Sequence, residues 1–86
     1  MLKTDLKLCD KIKPNINVKH YTCSPFKTSR LVWFEDNTFM HVETPFGGGD
    51  MFKQIENYTK QNNLKLELIQ NIKEKKHTIN LFKLVE

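Results

Sequence analysis

Arginine occurs once in this chain, at position 30, and the other thirteen basic side chains are lysines. Lysine is a hydrated point charge, whereas arginine is a planar fork suited to guanine edges. A surface so poor in arginine argues against base-by-base reading of a DNA duplex and for contacts made mostly to phosphates. Glycine is almost as scarce: three residues, all in the run Gly47–Gly49. One run of three builds neither G-x-x-x-x-G-K-[ST] nor G-x-G-x-x-G. Cysteine is confined to Cys9 and Cys23, too few for a disulfide scaffold and without the C-x-x-C pairs of a zinc module. No apolar run approaches the roughly 20 residues of a membrane helix. Met1–Pro14 is charged throughout, unlike a signal peptide. G-x-S-x-G, H-E-x-x-H and a metal-type carboxylate cluster are all missing. These absences predict a cytoplasmic protein with free thiols, no membrane contact and no cofactor.

What is present fits one domain spanning residues 1–86. A chain of this size buries about 60–65% of its unfolded surface, so its stability is on the order of 5 kcal/mol. The formal charge of +4 is unevenly spread. Residues 1–30 carry seven Lys/Arg against two Asp, and residues 64–86 carry five Lys against three Glu. Residues 31–63 carry two Lys against five Asp/Glu. Basic ends around an acidic middle concentrate polyanions through counterion release. Heavy use of Lys, Asn and Ile, whose codons are AT-rich, associates the chain with low-GC genomes, those of viruses and phages included.

The pattern predicts an α+β fold. Its centre is an antiparallel sheet of about five strands on one central helix, residues 51–63, with residues 2–13 either a second helix, which the spacing prefers, or a strand through Leu6 and Leu8. In that N-terminal segment Leu2, Leu6, Cys9 and Ile12 recur at helical spacing, Lys3, Lys7 and Lys11 form a basic stripe, and Pro14 ends the helix. Ile16–Cys23 reads as a strand, broken by Ser24-Pro25-Phe26-Lys27. Arg30–Thr44 reads as a hairpin about a two-residue turn, Asp36-Asn37, which sets Phe34 opposite Phe39 and Trp33 opposite Met40. One face then shows Leu31, Trp33, Met40 and Val42, and the other Val32, Phe34, Phe39 and His41. Pro45–Asp50 is a glycine hinge in which Asp50 caps the next helix and Asn62–Asn63 close it. Leu64–Ile72 and His77–Val85 form a second hairpin, with a bulge near Ile69.

Four sites follow. Gly47–Gly49 either binds an anion at the helix start or serves only as a hinge; Asp50 beside them opposes an anion. If the helix covers one hairpin face, the other exposes Phe34, Phe39 and His41. Flanked by Lys27, Arg30, Lys73, Lys75, Lys76 and His77, it is a surface for RNA or another nucleic acid. No RNP motif or G-x-x-G clamp accompanies it. The same face, through Val32, Phe34 and Phe39, would instead receive a protein partner or a second copy of the chain. That makes the protein a small inhibitor or adaptor of viral or phage type, acting in a host cytoplasm. Cys9, His20, Cys23 and His41 could supply four metal ligands, though a buried cysteine is commonly a small hydrophobe. His20, His41 and His77 could supply the acid and base of a small ribonuclease, although no spacing brings two of them together. The reading preferred is a non-catalytic, basic nucleic-acid-binding protein.

Overall fold

A computed structural model describes residues 1–45 and 50–86. The elements are α1 (Lys3–Ile12), β1 (Val18–Cys23), β2 (Ser29–Phe34), β3 (Thr38–Glu43), α2 (Asp50–Gln61), β4 (Lys65–Lys73) and β5 (Thr78–Val85). The five strands form one antiparallel sheet in the order β1-β2-β3-β5-β4. The expected α+β architecture, N-terminal helix included, is present. The glycines of the expected hinge, Gly47–Gly49, lie outside the described residues, and α2 begins at Asp50.

The β2–β3 hairpin differs from the expected one by a single residue. Trp33, not Phe34, stands opposite Phe39, and Val32 opposite Met40. The turn therefore holds three residues, Glu35–Asn37. Asn37 donates its N–H to the Phe34 carbonyl at 3.1 Å and takes a left-handed φ of 64°. Asp36 Oδ1 accepts hydrogen bonds from the N–H and hydroxyl of Thr38, at 3.1 and 2.6 Å. A three-residue loop ending on a left-handed residue is a common hairpin solution, and Asn tolerates that conformation better than most residues. With a side-chain period of two, the slip re-sorts the faces. Val32 and Phe34 now join Met40 and Val42, while Leu31 and Trp33 join Phe39 and His41.

Each face has its own cover. On the first, Leu8 and Cys9 of α1 pack into a cluster with Val32, Phe34, Met40, Val42, Ile79 and Leu81. On the second, α2 lays Phe52 against His41 and Phe82, with ring centroids at 5.5 and 5.3 Å. Tyr58 of α2 approaches Trp33 at 6.5 Å. The central strands are thus sandwiched between helices, which is why β3 is buried on both sides and both of its faces are apolar.

Helix α1 inserts a charge into its buried stripe, which runs Asp5, Leu8, Cys9 rather than through Leu6; Leu6 is exposed. Asp5, fully buried, accepts hydrogen bonds from Arg30 Nη2 at 3.0 Å, Arg30 Nε at 3.1 Å and the Tyr21 hydroxyl at 2.5 Å. At its other end α1 is followed by Lys13, whose Nζ lies 2.8 Å from Asp36 Oδ2. The helix therefore runs the length of the sheet, from the β1–β2 loop to the β2–β3 turn. Helix α2 closes as expected: Asn63 is left-handed at φ 54°, and the Leu64 N–H reaches back to the Thr59 carbonyl at 2.9 Å. That is a Schellman cap. The bulge in β4 also falls where expected, at Ile69 between Leu68 and Gln70. A second one, at Lys19 of β1, carried no sequence signal. No described helix is long and apolar enough to cross a membrane.

Candidate nucleic-acid interface

Register alone decides which loops share an end of the sheet. Ser29, Glu43, Thr78 and Lys73 stand side by side across β2, β3, β5 and β4. The β1–β2 loop, 24–28, and the β4–β5 turn, 74–77, project from that same edge. Their midlines are three strand spacings apart, roughly 14 Å. Helix α1 also starts here, with Lys3 exposed in its first turn.

The β1–β2 loop is held by main-chain and hydroxyl bonds. Ser24 to Lys27 closes a β-turn, the Lys27 N–H meeting the Ser24 carbonyl at 2.9 Å, with Pro25 in the position that suits its fixed φ. Ser24 Oγ accepts the N–H groups of Thr28 and Ser29 at 3.0 and 3.1 Å. Lys27 is left-handed at φ 59°, and its carbonyl accepts Arg30 Nη1 at 2.9 Å. Phe26 stands at the tip, 88% exposed.

The β4–β5 connection is a two-residue turn closed by the Glu74 N–H on the His77 carbonyl at 2.9 Å, with Lys75 and Lys76 at its tip. Such turns select Gly, Asn or Asp because they call for positive φ. Neither lysine has positive φ, so turn geometry does not account for the choice of residue. His77 Nε2 lies 3.0 Å from Glu74 Oε2, but it is not aligned as a hydrogen bond.

Of the nine residues expected at the interface, five share this end: Lys27, Lys73, Lys75, Lys76 and His77. The lysines are all exposed, and the acidic groups among the described side chains here include Glu74, exposed, and Glu43, half-buried. The other four are corrected. Arg30 is 6% exposed, its guanidinium spent on Asp5 and the Lys27 carbonyl. Phe34 is fully buried under α1, and Phe39 and His41, 4% and 2% exposed, lie under α2. The expected open aromatic face does not exist, because the sheet carries a helix on each side rather than on one. Val32, Phe34 and Phe39 are likewise closed to any partner.

The histidines stay apart. His41 shares a buried hydrogen bond with Ser29 Oγ at 2.9 Å. Burial holds its imidazole below its ordinary pKa, with Glu43 pulling weakly the other way. His20 lies on the α2 side of β1, two strands away, lining an apolar cleft with Trp33, Phe39, Ile55 and Tyr58. His77 is in the β4–β5 turn. Cys9, whose thiol burial pushes up to about 11, sits on the α1 side of the sheet, opposite His20 and His41. No three described His, Cys, Asp or Glu side chains converge as a metal site.

Phe26 lies in the Ser24–Lys27 breaker, whose sequence signal is its turn chemistry, so nothing in the sequence pattern marks the ring as exposed. Comparison with protein-family models, curated proteins and solved structures yields no match.

Proposed function

We propose that the protein is a non-catalytic RNA-binding protein of the cytoplasm. It grips the phosphate backbone with lysines at the loop end of its sheet. The observation that carries this reading is convergence: Lys27 and the Lys73–Lys76 group, far apart in sequence, project from one edge on two short loops. Lysines without an arginine fork hold phosphates as point charges and read little sequence. The free thiols of Cys9 and Cys23 suit a reducing compartment.

The test is a gel-shift series on single- and double-stranded RNA at low salt, with the wild type and with Lys73, Lys75 and Lys76 changed to Glu. Binding by the wild type and its loss in the triple variant are expected. An unshifted RNA at low salt ends the reading.

A further inference from the structure

We infer, building on that reading, that the ligand is single-stranded and that Phe26 stacks on one of its unpaired bases. A phenylalanine side chain stabilises a fold by leaving water, yet Phe26 contributes almost none of its surface to the fold. The loop has no need of the ring. It is set by Pro25, by the Ser24 hydroxyl, by the Lys27-to-Ser24 main-chain bond and by one bond from Arg30 to the Lys27 carbonyl. Arg30 is itself clamped by Asp5 in the core, so the ring is presented on an anchored loop. An anchored platform loses little conformational freedom when a base settles on it.

The chemistry around the ring selects the occupant. Lys27 is its neighbour in sequence, and Lys73, Lys75 and Lys76 lie along the same edge. Among the described residues, the other exposed large apolar side chains are Met1, Leu6, Tyr58, Leu68 and Ile69. Leu6, Tyr58, Leu68 and Ile69 belong to α1, α2 and β4, and of the five Met1 stands at the end of the sheet where α1 starts. A protein interface would need a desolvated apolar centre there. A duplex hides its base faces and offers the ring only groove edges and phosphates. An unpaired strand offers a base face to the ring and phosphates to the lysines, the combination found in proteins that bind single strands without reading sequence.

The experiment titrates a labelled oligouridine, the same strand with its bases removed, and an RNA duplex. The proteins are the wild type, Phe26→Ala, Phe26→Trp and the double variant Lys75→Glu/Lys76→Glu. Phe26→Ala is expected to weaken oligouridine binding about tenfold or more and to leave the baseless strand and the duplex unchanged. Phe26→Trp is expected to retain binding. The lysine variant is expected to weaken all three ligands together. Equal loss on every ligand for Phe26→Ala, or no loss on any, overturns the stacking role while the phosphate-binding reading stands. Binding to none of the three overturns both. A nuclease-resistant protein partner that is released by Phe26→Ala also overturns the inference, in favour of a protein contact.

Discussion

Asp5 is closed off from water and held by two partners, the Arg30 guanidinium and the Tyr21 hydroxyl. Burial and the bond to Asp5 push the Tyr21 phenol well above its ordinary pKa, so it remains a donor at any ordinary pH. The cluster ties α1 to β1 and β2, and through the Lys27 carbonyl it also fixes the loop that bears Phe26. Replacing a buried ion pair with apolar groups is often harmless, but removing one partner strands the other charge at a cost of about 3–5 kcal/mol. An 86-residue domain has about 4–13 kcal/mol in all. Asp5→Ala is therefore expected to lower the stability by about 3–5 kcal/mol, read by urea unfolding followed by circular dichroism. Asp5→Leu combined with Arg30→Met is expected to recover much of it. A single variant as stable as the wild type would show that the pair does not form in solution. The sequence held part of this. An Asp three residues before Leu8 on a helix is a charge within an apolar stripe, and a lone arginine among lysines is a residue kept for its fork. Taking charge as a mark of surface puts Arg30 on the nucleic-acid face instead of in the core. What no sequence pattern supplies is that Asp5 and Arg30, 25 positions apart, meet under the same helix.

At the scale of elements, periodicity together with strand propensity and turn signals located the helices and strands; β3, buried on both sides, has no alternation of its own. Periodicity also located the β4 bulge, since Ile69 breaks the alternation. The hairpin register escaped it. Asp36-Asn37 is good turn chemistry whether the loop holds two residues or three, and the choice rests on Asn37 alone taking φ 64°. That one-residue difference, together with a helix on each face, turned an expected binding surface into core. Asn63 plays the comparable part for α2. Its left-handed backbone lets Leu64 bond the Thr59 carbonyl and start β4 in register. A side chain with a β-carbon loses about 1–2 kcal/mol in that conformation, and glycine loses nothing to sterics. Asn63→Ala is expected to destabilise the fold by about 1 kcal/mol, whereas Asn63→Gly should match or exceed the wild type. The urea midpoints of the two variants check this; an alanine variant as stable as the glycine one would rule out the left-handed cap.

For the whole molecule, stability and the proposed binding reside in different places. The core lies between the two helices and the central strands, while the lysines sit on loop tips that bury almost nothing. Each lysine that neutralises a phosphate releases counterions. For a single strand, the logarithm of the binding constant then falls against the logarithm of salt with a slope of about 0.7 per contact. Four lysines, Lys27, Lys73, Lys75 and Lys76, set a slope of about 3 for the wild type. Reversing Lys73, Lys75 and Lys76 should cut it to about 1 or below and leave the urea midpoint where it was. Asn63→Ala should do the opposite, lowering the urea midpoint while leaving the slope unchanged. Fluorescence anisotropy across a salt series, paired with urea melts of the same proteins, measures both. A steep slope that survives the triple reversal would place the phosphate contacts elsewhere, on the α1 stripe of Lys3, Lys7 and Lys11, which is exposed along the first helix. A flat slope in the wild type would mean that no phosphates are bound at all. The two quantities separate because the register brings the basic loops to one edge while the apolar cluster between α1 and the central strands carries the fold.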